Sequence, residues 1–154
     1  MTPQREDEVS HVRDFLHSAA EARLEYRRRQ SRVDELEHRS RRVTGLAGSV
    51  GRRGGRGPQA LWAALADERE RELEAAGAEL DRYRQVEALI QKVDKPIYRV
   101  ILGLRYLQYL NWKQVRQQME REGYFYEERQ IFRLHAEALA AAGRIWRGET
   151  DGEA

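Results

Sequence analysis

The 154-residue chain has no cysteine, only three prolines, and aromatic residues at 8%. Without cysteine there is no disulfide scaffold, no Cys-ligated zinc site and no thiol chemistry. No apolar run approaches the roughly 20 residues that a membrane-spanning helix needs. The opening MTPQREDEVS has no apolar signal core, so the expectation is a cytoplasmic chain with no membrane partner. Scarce proline beside abundant Glu, Arg, Ala and Leu predicts an all-α fold, with a length close to that of one domain.

Charge is plentiful but nearly balanced: 28 Lys+Arg against 26 Asp+Glu, a net +2, with mean hydropathy −0.86 and a pI near 9.0. Its distribution is uneven. Residues 1–43 carry +1, residues 44–58 carry +3, residues 59–94 carry −4, residues 95–147 carry +5 and the tail 148–154 carries −3. A basic C-terminal segment on a near-neutral chain points to a local surface for a polyanion.

Apolar periodicity organises the chain into two parts. Val12, Phe15, Ala19, Ala22, Tyr26, Val33, Leu36 and Val43 form one helical stripe, interrupted at Arg29 and Ser40. Trp62, Leu65, Leu73, Ala76, Leu80, Tyr83, Ile90 and Val93 form a second, with Pro58 suited to its first turn. Between them GLAGSVGRRGGRG holds six of the twelve glycines and predicts a flexible loop. Residues 1–94 therefore read as a long helical hairpin with a Gly/Arg loop at 44–58, or as a coiled coil with a partner chain. Such helices need their stripes buried, which makes a homo-oligomer through them the expectation.

Residues 95–147 read differently. Asp94 can cap and Pro96 can open a helix containing Ile97, Val100, Ile101, Leu104 and Leu107. Asn111 is the expected N-cap of NWKQVRQQMERE, and Gly123 the left-handed residue that ends it. A last helix over 126–142 turns Ile131, Leu134, Ala138 and Leu139 inward. Helix, short turn, helix, glycine turn, helix is the order of a helix-turn-helix with its supporting helix. Val115 and Met119 would share a seam with Ile131, Leu134 and Leu139, leaving Tyr126, Glu128, Arg129, Gln130, Phe132 and Arg133 to face a major groove. Arg reads guanine, Gln adenine, and Glu accepts from cytosine, so Glu128, Arg129, Gln130 and Arg133 are the expected base readers. Lys113, Arg116 and Arg121 on the preceding helix, with Tyr126 and His135, are the expected backbone contacts; His135 can also simply pack. The bland reading of the same periodicity is an ordinary helical hairpin with a polar outer face.

The other clusters are weaker. Arg52, Arg53 and Arg56 in GRRGGRG resemble an RGG tract, although a linker adding loose phosphate attraction is the simpler account. YRRRQSR at 26–32 is spread around a helix, within reach of Glu21, Glu25 and Asp34. His11, His17, His38 and His135 show no i, i+4 pair and no HExxH, and Glu68, Glu70, Glu72 and Glu74 step by two around a helix. No nucleophile motif stands out, so neither an enzyme nor a cofactor is expected. Trp62, Trp112 and Trp146 are expected to pack.

The segment Leu104–Leu139 resembles region four of the bacterial sigma-factor superfamily through its LRY, NW, glycine-turn and AL elements. It is similar to the phage-associated RinA/ArpU-type late transcriptional regulators in Tyr124, Tyr126, Arg129, Gln130, Arg133, Leu134, His135, Ala138 and Leu139. Two long N-terminal helices around a Gly-rich loop extend that likeness over most of the chain. It departs from the pattern at Glu127 and Glu128, where a small polar residue is commoner, and in the longer MEREGYF turn. The resemblance implies a sigma-region-four-like helix-turn-helix, sequence-specific binding of double-stranded DNA by a phage or prophage regulator, and RNA polymerase as a second partner. The competing expectation is a helical interaction or assembly protein, polymerase-docking or like a phage terminase small subunit, without specific DNA readout.

Overall fold

A computed structural model describes the backbone of residues 3–50 and 58–152 and the side chains of residues 4–45 and 59–149. Among these residues all regular structure is helical: α1 (Pro3–Val50), α2 (Pro58–Gln91), α3 (Pro96–Leu102), a π-helical turn (Gly103–Leu107), α4 (Trp112–Arg121) and α5 (Glu128–Gly152). By packing, the chain divides into a terminal unit, Met1–Ala22 with Arg82–Ala154, and a hairpin unit, Arg23–Asp81. This is a different cut from the one that composition suggests at residue 94. The reason is visible in the core of the terminal unit, where the first turns of α1 and the last turns of α2 bury their stripes against the C-terminal helices.

In the hairpin unit, α1 and α2 run antiparallel. Arg29 pairs with Glu72 at 3.0 Å, Arg32 with Glu68 at 2.7 Å, and Ser40 meets Trp62, so residue numbers rise along one helix as they fall along the other; Glu37 pairs with Arg69 at 2.8 Å. Val33, Leu36, Leu65 and Ala76 are buried. Arg29 and Ser40, the two breaks in the first stripe, are bridging points: Arg29 reaches Glu72, and the Ser40 carbonyl accepts from the Trp62 indole N–H at 3.3 Å. Glu68 and Glu72, one turn apart, are the members of the acidic run that face α1. Arg28 and Arg29 pair with Glu25 as their spacing predicts, whereas Arg32 takes Glu35 rather than Asp34. Leu24, Leu61, Trp62 and Leu73 stay exposed.

The terminal unit has two apolar clusters. Val12, Leu16 and Ala19 of α1, Val86, Leu89 and Ile90 of α2, and Ala138, Leu139 and Ala142 of α5 close around Tyr98, Leu102 and Tyr106. Each fully buried large side chain there contributes about 1.5–3 kcal/mol relative to exposure. Trp146 stacks on His11 and lies 6.1 Å from the Phe15 ring, docking the end of α5 on α1. The second cluster, Ile101, Leu104, Val115, Met119 and Ile131, joins α3, the π-turn, α4 and α5.

Several local expectations are corrected. The backbone stays helical through Gly45 to Val50, so the loop predicted at 44–58 does not begin at residue 44; isolated helical glycines cost only about 1 kcal/mol each. Arg52, Arg53 and Arg56 lie outside the described residues. Lys95, not Asp94, is the N-cap of α3, with Pro96 in its first turn as expected and Arg99 donating back to the Val93 and Asp94 carbonyls. The single helix expected from Ile97 to Leu107 widens at Gly103, where Gln108 N–H bonds the Gly103 carbonyl five residues back. Two residues apart, Leu104 and Tyr106 lie on opposite sides of this turn and join different clusters.

Candidate nucleic-acid interface

Short-range chemistry fixes α4. The Asn111 side chain accepts from Gln114 N–H at 2.9 Å, and the Gln114 side chain accepts from Asn111 N–H at 3.0 Å, a complete capping box. Just before it, Tyr109 adopts φ +56°, a left-handed conformation that a non-glycine residue holds only under constraint. The constraint is on the next residue: Arg105 donates to the Leu110 carbonyl at 2.8 Å, and Leu110 N–H bonds the Leu104 carbonyl. The Arg105 guanidinium also lies 4.9 Å from the Trp112 ring centre.

Gly123, at φ +94°, turns the chain after α4 as expected, and Tyr124 N–H closes the turn on the Met119 carbonyl at 2.8 Å. Tyr124 and Tyr126 tuck against the second cluster while Phe125 between them is 78% exposed. Glu127 then takes the cap position of α5, its carbonyl accepting from Ile131 N–H and its own N–H donating to the Gln130 side chain at 3.0 Å. Half a capping box thus forms around an acidic residue where a small polar one is commoner.

At roughly 100° per residue, the burial of Ile131, Ala138 and Leu139 sets the exposed arc of α5. Glu128, Arg129, Phe132 and Arg133 fall on that arc and are exposed. Gln130 is exposed but its carbonyl oxygen is engaged in the cap. Trp112, Lys113 and Arg116 of α4 meet Glu128, Ile131 and Phe132 of α5 around an open cavity of 150 Å³. Arg116 also leans toward Glu120 at 3.6 Å. Arg121 is exposed at the other end of α4, about 12 Å along the axis from Lys113. Lys113, Arg121, Arg129 and Arg133 make no ion pair with any described residue.

Two expected backbone contacts are placed for packing instead. Tyr126 is half-buried on the second cluster. The His135 ring stacks on Tyr106 and meets Trp112 edge-on at 4.6 Å, and its Nε2 shares a 2.8 Å hydrogen bond with the Tyr106 hydroxyl. Burial first, then Arg13 and Arg105, lower its pKa from 6.5 to about 4, so at neutral pH it offers no positive charge to a phosphate. Burial likewise pushes the Tyr106 phenol up, and burial followed by Arg105 and Arg13 pushes His17 down. Arg105 and Tyr106 stand in the sequence as part of the LRY element, which does not reveal their contacts with Trp112 and His135. Phe125 and Tyr109 carried no signal beyond composition.

No protein-family model, curated protein or solved structure matches the chain.

Proposed function

We propose that this chain is a sequence-specific, double-stranded-DNA-binding transcription regulator of the phage or prophage type, with α5 as its recognition helix. The observation that carries this reading is the division of labour on α4 and α5. Val115, Met119 and Ile131 are buried together, while Glu128, Arg129, Phe132 and Arg133 share one exposed arc beside Lys113 and Arg116. A recognition helix needs its leading residues free for base edges and a preceding helix that brings cations to the phosphates. Arg129 and Arg133 are the base readers of this proposal, Glu128 an acceptor toward cytosine or adenine amines, and Lys113 and Arg116 the backbone contacts. Gln130 keeps only its amide nitrogen for a base. The likeness of Tyr124–Leu139 to the RinA/ArpU-type regulators supports the assignment, with RNA polymerase as a second partner. Self-association through the N-terminal helices is part of the same proposal.

The test is binding of the purified chain to duplex fragments of its neighbouring genome across a salt series. One fragment retained at about 150 mM salt is the expected result; uniform binding that fades with salt, or none, defeats the reading. Arg129→Ala and Arg133→Ala should each weaken the retained site by about 1–3 kcal/mol and relax specificity there. The second reading, an interaction or assembly protein, draws on Phe125, whose exposed ring next to α5 suits a protein surface. Ring-sized oligomers in light scattering, together with no DNA retention at low salt, would favour it.

A further inference from the structure

Phe132 is the one large apolar side chain on the exposed arc of α5 among the described residues, 42% accessible between Glu128 and the two arginines. It is not loose: its ring meets the Trp112 ring edge-on at 5.1 Å, and Trp112 is itself in contact with His135 and the Arg105 guanidinium. Phe132, Trp112 and Ile131 make the apolar floor of the 150 Å³ cavity, and Lys113, Arg116 and the Glu128 carboxylate complete its lining. An apolar floor lined by two cations and one carboxylate suits a ligand that presents phosphates to the cations, an amine to Glu128 and a small apolar group to the floor, as a duplex does at an adenine–thymine pair. In the major groove the apolar group displayed among the base edges is the thymine 5-methyl. A protein side chain fits the floor as well, but it leaves Lys113, which makes no ion pair with a described residue, without a phosphate to meet.

We propose that Phe132, backed by Trp112, is a specificity-determining residue that receives the 5-methyl group of a thymine at the α4–α5 cavity, with Lys113 and Arg116 on the flanking phosphates. This rests on the DNA-binding reading above and adds to it a base and a position. The arginines read hydrogen-bonding edges; Phe132 reads a methyl group that offers none. Because the floor is built on rings packed on one another, the pocket exists before DNA arrives.

The probe is a duplex selected by the wild-type chain from a random 20-base-pair pool, with each thymine replaced in turn by uracil, a change that removes only the methyl. At one or two positions the replacement should weaken wild-type binding about fourfold, the loss of one buried methyl. Phe132→Ala should bind thymine and uracil duplexes equally, and Phe132→Leu, which keeps an apolar surface, should retain part of the discrimination; unchanged helical circular dichroism qualifies both variants. Binding that no uracil replacement alters overturns the methyl pocket and leaves the DNA-binding reading standing. Discrimination that persists undiminished in Phe132→Ala overturns it too, by assigning the methyl to another residue. If no duplex is selected at all, the DNA-binding reading fails and the pocket falls with it.

Discussion

The Tyr106 hydroxyl and His135 Nε2 lie 2.8 Å apart, tying the π-helical turn to the middle of α5. Around this bond stand His17 and Arg13 from α1, Arg105 from the same turn and Trp112 from the start of α4. Four elements therefore meet at a neutral imidazole, and the cations nearest to it oppose its protonation. With His135 held at about 4 against 6.5, the unfolded chain binds a proton between those values that the folded chain refuses. Stability consequently falls as pH is lowered from 6.5 toward 4 and does not respond to this group above 6.5. His17, lowered in the same direction, adds to the effect. Urea midpoints measured from pH 7 to pH 4.5 should decline more steeply in the wild type than in His135→Gln, which keeps a hydrogen-bonding group without a titration. Equal slopes in the two proteins would show that His135 is protonated as readily folded as unfolded.

Removing the other partner isolates the bond. Tyr106 is 2% exposed, so Tyr106→Phe leaves the ring packing in place but strips His135 of its hydroxyl partner. The expected cost is about 1–3 kcal/mol, the range for a polar group left unpaired in a buried place. A denaturation midpoint identical to wild type would mean that water replaces the hydroxyl at no cost.

The elements that short-range chemistry specifies were legible in the sequence. Asn111 with Gln114 three residues on, Gly123 at a left-handed position, and Pro58 and Pro96 in first turns all act within a few residues of themselves. The apolar seam of Val115, Met119 and Ile131 was legible for the same reason, since helical spacing determines which side chains share a face. What sequence periodicity does not contain is register between distant segments. Leu16, Val86 and Leu89 stand at helical spacing from Val12, Tyr83 and Val93, but only the meeting of α1, α2 and α5 shows that the buried face is wide enough to include them. The π-turn at Gly103 is a local departure from helical spacing, and the contact of its Tyr106 with His135 joins segments 29 residues apart. The candidate interface was half legible for a related reason. Arg129 and Arg133 follow from spacing, whereas the pairing of Phe132 with Trp112 depends on how α4 crosses α5.

Asn111→Ala should destabilise the terminal unit by about 1 kcal/mol, since one side chain satisfies the first turn of α4 and positions its N-terminal cations. Gln114→Ala removes only the reciprocal bond and should cost less. Urea denaturation of both variants gives the comparison, and a larger loss for Gln114→Ala would reverse the assigned roles in the capping box.

In the hairpin unit, Arg29 and Glu72 are a reciprocal pair across α1 and α2 at 3.0 Å. Arg29→Glu alone brings two carboxylates together beside Glu25 and should lower the thermal midpoint, while adding Glu72→Arg should recover most of the loss. The difference should shrink in 1 M salt, where exposed charges are screened within about 3 Å. A double variant no better than the single one would show that the antiparallel register does not depend on this pair.

Met119 and Arg133 separate the buried and exposed sides of the helix-turn-helix. Met119 is fully buried among Ile101, Leu104, Val115 and Ile131, so Met119→Ala opens a cavity and should cost about 2–5 kcal/mol. Arg133 is exposed and makes no ion pair with a described residue, so Arg133→Ala should change stability by less than about 0.5 kcal/mol. On the proposed function both weaken DNA binding, by different routes. Met119→Ala lets α4 and α5 shift, which loosens contacts to phosphates and bases alike and weakens all sequences. Arg133→Ala leaves the scaffold intact and removes discrimination at one base pair. Denaturation and duplex binding measured on the same two variants distinguish these routes. If Arg133→Ala destabilised the fold as much as Met119→Ala, the exposed arc of α5 would have to be redrawn, and with it the choice of residues that face the groove.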